Sequence, residues 1–298
     1  MSERAATIWI PVPPTRVSVR SLVVGLLVAA AILSAMYLHL GPGTLTPSLA
    51  GRRAAAEFFV RALSPAARYE SDVMPGTPPL LVTALRAVGV TVVIAASAMS
   101  LAVVIGLLLA FVASNAWWIG ERAGAQSLWM RLLRRSVAPI AYGSARVVMA
   151  LMRSTHELLW AVLFLAAFGL SHTAAVLAIA IPFGGTLGKV FSEMIDEAPR
   201  DAAEALRGAG AAPLQVFFFG LFPRVFPDIC AYTFYRFECS LRASAVLGFF
   251  GFPTLGYYIS ASFENLHYGE VWTYLYTLIA LVIVVDIWSA GLRRRLVV

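Results

Sequence analysis

From Ser21 to Gly51 the chain carries no Asp, Glu, Lys or Arg, and the same holds from Leu158 to Gly188. Uncharged apolar runs this long match the hydrocarbon layer of a bilayer, which takes about 20 residues of helix to cross. Two further runs repeat the pattern: Leu80 to Ala113 contains only Arg86, and Val271 to Leu292 contains only Asp286 before ending on Arg293, Arg294 and Arg295. With 60% hydrophobic and 13% charged residues, the chain falls well short of the roughly one quarter charged residues of soluble domains. Soluble enzymes, disordered tails and secreted disulfide scaffolds are set aside. The expected fold class is all-α, a polytopic membrane protein with about six transmembrane helices.

The net charge is +7 and, apart from Lys189, every positive residue is an arginine. These arginines lie between the apolar runs, where the positive-inside rule accounts for them without nucleic acid. Cys230 and Cys239 stand nine apart in a helical stretch, about 13 Å along the axis, too far for a disulfide. His39, His156, His172 and His267 make no metal-ligand spacing, so no metal site is expected. Trp117, Trp118, Trp272, Tyr274 and Tyr276 read as interfacial anchors.

Residues 1–20 form a cytoplasmic tail closing on Arg16 and Arg20, and 21–79 hold the first transmembrane helix and an external segment. The alternative for that helix, a cleaved signal peptide, has a shorter apolar core than this one. Within the external segment GRRAAAEFFVRAL suggests a short surface helix, which tolerates Arg52, Arg53, Arg61 and Arg68 on the outer side. The second span returns the chain to the cytoplasm, where Arg122, Arg131, Arg134 and Arg135 follow. A third span begins near Ser136 and passes Arg146 and the polar cluster at 153–157. A tight turn at Gly169, Ser171 and His172 leads to a fourth, from Thr173 to Glu193. The fifth runs from Leu214 through the 240s, bent if Pro223 and Pro227 lie within it. The sixth is Val271 to Leu292.

Between the fourth and fifth spans, residues 196–213 read DEAPRDAAEALRGAGAAP, a polar segment far longer than a connection needs. Glu197, Asp201 and Glu204 are spaced to share neighbouring turns of one short helix, and Gly208 and Gly210 allow a sharp exit. A short helix parallel to the membrane, with an exposed face for a soluble partner, is expected. The stretch Gly184 to Lys189 superficially suggests a phosphate loop, but it is one residue short and Val190 replaces the required Ser or Thr. Its glycines are better read as helix-packing positions. Charges within the spans each cost roughly 2.5–3.5 kcal/mol at a helix centre. Arg153 with Glu157 and Glu238 with Arg242 are i, i+4 and can neutralise one another. Arg236 needs a partner from elsewhere: Glu157, Asp228 or a passing anion.

Glu204-Ala205-Leu206, Gly210 six residues after that Glu, and Pro223 thirteen beyond the Gly resemble the EAA loop of importer permeases of the ATP-binding-cassette class. The family pattern is Glu-Ala-Ala, three residues, Gly, nine residues, Ile, one residue, Leu, Pro. Here Leu206, Gly220 and Phe222 depart from it. The block YTFYRFECSLRASAVLGFFG at 232–251, with Tyr235, Arg236, Phe237, Glu238, Arg242, Gly248 and Gly251, is similar to a segment of phosphonate, phosphite and phosphate permeases. Arg153-Ser154-Thr155-His156-Glu157, then Leu158 and Trp160, resembles another, with His156 where Pro is usual. Pro253-Thr254 replaces a Gly-Gly. The resemblance covers about residues 80–295.

It implies the type I importer-permease (MetI-like) architecture in a bacterial plasma membrane, the inner membrane of a Gram-negative cell. It also implies a second permease subunit, identical or not, a cytoplasmic ATPase dimer, and a periplasmic or lipid-anchored solute-binding protein. The chain itself is then no enzyme and holds no cofactor; ATP and Mg belong to the ATPase. Coupling to that ATPase falls on Glu197, Asp201, Glu204, Ala205, Arg207 and Gly210. For a phosphorus oxyanion the forked, permanently charged guanidinium is the suited donor, so Arg236 and Arg242, then Arg153, with Glu157 and Glu238, are the pathway candidates. The expected function is ATP-driven import of phosphonate, phosphite or phosphate by alternating access. Two alternatives are a permease of the same class for an amino acid such as methionine, and a self-sufficient secondary transporter, against which no inverted half-repeat is visible.

Overall fold

Small residues recur at every third or fourth position of the second apolar run, and much of the core packs on that stripe. A computed structural model describes residues 19–41, 43, 46–115 and 128–296. The tail to residue 18 and the loop with Trp117, Trp118 and Arg122 lie outside the described residues, as do the side chains of Arg131, Arg134 and Arg135. The helices are α1 (Val19–Tyr37), α2 (Leu49–Ala62), α3 (Leu80–Ala113), α4 (Leu128–Ser154), α5 (Glu157–Phe168), α6 (His172–Glu197), α7 (Asp201–Gly208), α8 (Phe222–Val246), α9 (Leu255–Glu264) and α10 (Tyr268–Leu296). The chain divides into one unit ending at Phe59 and a second from Val60 onward.

In the first unit α1 is apolar along its whole length with no buried residue, as expected of a helix that meets lipid. Helix α2 forms where the apolar residues between arginines predicted one.

In the second unit α3 buries Ala84, Ala87, Ala95, Ala98, Ala102, Gly106 and Ala110. A Cβ on Gly106 would stand 2.8 Å from Leu187 Cβ, and one on Gly184 3.0 Å from Ile105 Cγ2. Gly185 is equally tight, its missing Cβ 2.7 Å from Met152 Cβ. The glycines of the 184–189 stretch thus bring α6 against both α3 and α4 at near backbone contact, which is how helices associate where no hydrophobic gain is available. Lys189 pairs with Glu193 at 3.2 Å.

Among the described residues five helical stretches are long and apolar enough to cross a membrane: 19–37, 80–113, 172–197, 213–250 and 268–295. The expected third span is a broken pair, Pro139–Ser154 and Glu157–Phe168, bent by 90° and counting as the sixth if taken as one crossing. In the fifth, a helical turn at Pro213–Gln215 passes into a π segment at Val216–Leu221 before Pro223 opens α8. Proline can neither donate nor tolerate the carbonyl four residues back, and the wider π turn relieves both demands.

Between α8 and α10 the chain turns back on itself through a 3₁₀ turn, Leu247–Phe250, and α9. Gly251 takes φ +94°, a conformation that glycine enters without strain. A Cβ on Gly248 would collide with the Tyr257 amide, and one on Gly256 with the Ala245 carbonyl. Thr91 is the fastener: its Oγ1 accepts from Leu255 N at 3.2 Å, and its carbonyl accepts from Ser244 Oγ at 2.9 Å. Farther along, the buried Glu270 accepts from Glu70 N–H at 2.7 Å and Ser262 Oγ at 2.9 Å, pinning the segment before α3. Tyr274, expected as an interfacial anchor, is instead 1% exposed and stacks on Tyr258.

Gly256→Ala is expected to destabilise the purified protein by about 2 kcal/mol or more, since the extra methyl has no room. A melting temperature unchanged from wild type would refute this account of the turn.

Candidate functional site

Pro199 stops α6, because the residue before a proline leaves the helical region, and Ala198 is extended at φ −59°, ψ 141°. Helix α7 then starts at Asp201. Glu197 therefore sits on the end of α6, not on the same short helix as Asp201 and Glu204, and the expected three-acid face is corrected to two. Asp201 and Glu204 lie in the first turn of α7 and Arg207 in the last, the arrangement the helix dipole favours.

The two faces of α7 differ sharply. Asp201, Glu204 and Ala205 are exposed, Arg207 is half-buried, and Ala203 is fully buried. The buried face rests on the π segment: a Cβ on Gly220 would come within 3.1 Å of Ala203 Cα and 3.2 Å of Leu206 Cδ1. Gly220, which stands at the family's Ile position, is thus a place where α7 touches the fifth span. Gly210, at φ +83°, ends the helix in a Schellman turn, with Ala211 N bonding Leu206 O at 3.0 Å and Gly210 N bonding Arg207 O at 2.9 Å.

One residue of this region was not singled out in the sequence. Asp196 Oδ1 accepts from Ser114 Oγ and from Asn115 N, both at 2.8 Å, and Arg146 Nη2 approaches Oδ2 at 4.0 Å. A single carboxylate thereby ties the end of α3 and the body of α4 to the end of α6, one turn before α7. The sequence signal was weak: an Asp beside a Glu in a polar run.

The second site lies at the break between α4 and α5. Arg153, His156, Glu157, Phe183, Thr186 and Arg236 line a cavity of about 370 Å³, room for a small anion with several waters at about 30 Å³ each. Arg236 is brought here beside Arg153 and Glu157, some eighty positions earlier in the sequence. Arg236 lies over the Phe183 ring at 4.4 Å, and its buried Nε has no hydrogen-bond partner. Among the described residues neither Arg153 nor Arg236 has a carboxylate partner.

The expected i, i+4 ion pairs do not form. Glu157 faces His156, with Nδ1 at 3.6 Å, because the helix breaks between it and Arg153. Glu238 pairs with Arg293 at 3.4 Å, and Arg293 also meets Asp286 at 3.8 Å. Arg242 is exposed, with Nη2 3.9 Å from Cys239 Sγ. Neither Glu238 nor Arg242 lines the cavity.

Residues 48–298 match the family described as the binding-protein-dependent transport system inner membrane component. The chain belongs to this family. It is therefore a multi-pass membrane protein of a transport-system family. It is similar to the phosphite transport system permease protein PtxC of Stutzerimonas stutzeri, 36% identical over 53% of this chain and 57% of that protein. A putative phosphite transport system permease protein of the same organism, HtxE, is 34% identical over 59% of this chain and 71% of its own length. The phosphate-import permease protein PhnE of Mycolicibacterium smegmatis is 30% identical over 53% of this chain and 30% of that protein. The chain thus spans little more than half of PtxC and under a third of PhnE.

Among solved structures, the inward-facing MetNI methionine ABC transporter superposes with TM-score 0.58 at 18% identity, over 74% of this chain and 99% of that one. An amino acid ABC transporter crystallised with histidines gives TM-score 0.57 at 18% identity, over 72% of this chain and 94% of that one. At this identity the likeness shows the fold, a type I importer permease, and nothing of what is carried.

Asp196→Ala leaves the donors of Ser114 and Asn115 unpaired and is expected to cost about 2 kcal/mol, read as a lower melting temperature in detergent. Gly220→Val is expected to detach α7 while sparing the exposed acids. Protease cleavage near residues 198–212 in that variant, absent from wild type, is the readout.

Proposed function

We propose that the chain is the permease subunit of an ATP-driven importer in the bacterial plasma membrane that carries phosphite, phosphonate or phosphate. Its relatives named for phosphite and phosphate support the substrate class. The observation that carries the reading is the cavity at the broken span, where Arg153 and Arg236 face open space and, among the described residues, neither forms an ion pair with a carboxylate. A charge left unpaired inside a membrane protein is costly and marks a path for its counter-ion. Aligned on one cavity, two guanidiniums offer the bidentate contacts that a tetrahedral oxyanion accepts.

In this reading the exposed face of α7, with Asp201, Glu204, Ala205 and Arg207, and with Glu197 and Gly210 at its borders, seats in a cytoplasmic ATPase. ATP and Mg are bound there and hydrolysed there. Closure of two ATPases rocks two permease subunits between outward and inward openings, and an external solute-binding protein delivers the anion. The methionine-type alternative has only the fold in its favour, and a secondary transporter would have no use for a docking helix.

Proteoliposomes containing the chain, its genomically adjacent ATPase and the cognate binding protein are expected to take up phosphite or phosphate only with internal or external ATP on the ATPase side. Methionine uptake under the same conditions, or gradient-driven flux by the chain alone, would overturn the reading. Arg236→Gln is expected to lower uptake at least tenfold, about 1.4 kcal/mol, with the ATPase still bound. Glu204→Arg is expected to do the reverse, releasing the ATPase from the complex in pulldown while the helical bundle stays folded.

A further inference from the structure

The cavity at the broken span contains one group that an anion passage does not call for. Arg153 and Arg236 attract an anion, yet Glu157 lines the same space, and a carboxylate repels one. Neither arginine pairs with it. Among the described residues the basic group within ion-pair distance of Glu157 is His156, whose Nδ1 lies 3.6 Å from Oε2. That nitrogen already receives the Leu158 N–H at 3.3 Å as the cap of α5. A ring nitrogen that accepts a hydrogen bond bears no proton, so it has none to give to Glu157. From α6 only Pro182, Phe183 and Thr186 reach the cavity, and the Thr186 hydroxyl donates to the Pro182 carbonyl at 2.9 Å. Among the described residues Glu157, with a side chain 25% exposed, is an acceptor with no donor.

Two unpaired donors and one unpaired acceptor around one cavity describe a complementary ligand: an anion with oxygens for the guanidiniums and a hydrogen for the carboxylate. We propose that Glu157 is a specificity-determining residue that accepts the hydrogen of an acidic hydroxyl on the anion held by Arg153 and Arg236. The ligand class is therefore a tetrahedral oxyanion that keeps at least one O–H, such as hydrogen phosphate or hydrogen phosphite. Sulfate, of the same shape but with no hydrogen at neutral pH, turns a bare oxygen toward a carboxylate and is rejected. Discrimination of this kind is strong because the site's own polar group is left unpaired and repelled when the hydroxyl is missing. The inference rests on the proposed passage of phosphorus oxyanions and adds which of their forms is recognised.

The test is equilibrium dialysis of the detergent-purified permease–ATPase complex, without binding protein, against radiolabelled phosphate and sulfate. Wild type is expected to prefer phosphate by at least tenfold, about 1.4 kcal/mol. Glu157→Gln keeps the shape, loses the charge and gains a donor, so sulfate binding should rise until the two anions lie within about threefold. Glu157→Asp should retain the preference, and both variants are checked for folding by their retained ATPase. A preference unchanged in Glu157→Gln, or no preference in wild type, overturns the assignment. Binding of neither anion, with phosphite uptake by the complete transporter intact, also overturns it while leaving the proposed function standing. Failure of the complete transporter to take up any phosphorus oxyanion is the separate result that removes that function.

Discussion

Inside a bilayer the backbone has no water to bond to, so a helix can break there only where other groups of the protein take up the freed N–H and C=O groups. The break between α4 and α5 meets that condition through one residue. His156 receives the Leu158 N–H on its ring, and its carbonyl receives the N–H of Leu159 at 3.0 Å and of Trp160 at 3.5 Å. Ser154 Oγ returns to the Leu151 carbonyl at 2.8 Å. Because the break is satisfied locally, the polar run 153–157 can line a cavity instead of forcing the span apart. His156 thus has a structural role, and its Nδ1 is engaged by the hydrogen bond that caps the helix.

The close seam of α3, α4 and α6 sets the other wall. Gly184 and Gly185 let α6 approach until Phe183 faces the break, and Arg236 from α8 lies on that ring. A ring face holds a guanidinium by its quadrupole without cancelling its charge. Had a carboxylate stood there, the arginine would be positioned equally well but would have nothing left for a passing anion. An ion-paired arginine lies nearby for contrast: Glu238, two residues from Arg236 in α8, is buried and paired with Arg293 of α10.

The spans themselves were legible because lipid imposes length and apolarity on consecutive residues, and both can be read without knowing the fold. So was Gly210, whose place after an acidic amphipathic turn matches a helix C-terminus. The pairings were not legible. Arg153 and Glu157 are i, i+4 only on an unbroken helix, and nothing in residues 153–157 announces a bend of 90°. Glu238 chose Arg293 over Arg242 because the last helix returns to α8, a fact of tertiary packing that spacing along one helix cannot contain. Asp196 escaped notice for the same reason, since its partners Ser114 and Asn115 are some eighty positions earlier. Contacts that depend on local periodicity were recoverable; those that depend on which helix comes back beside which were not.

The two sites are joined by a short mechanical path. Helix α7 rests on Gly220 in the π segment, the π segment leads straight into α8, and Arg236 lies about 21 Å up that helix at 1.5 Å per residue. Asp196 fixes the other side, holding the end of α6 to the ends of its neighbours. In the proposed mechanism a push on α7 would meet a tied support on one side and α8 on the other. The π segment, with its wider turn, is the irregular element between α7 and α8, a feature often found at functional sites. Pro223 makes that turn obligatory by removing the amide that would close it. The backbone at 216–221 thus lies between α7 and Arg236, and the sequence departures at Gly220 and Phe222 fall within or beside that stretch.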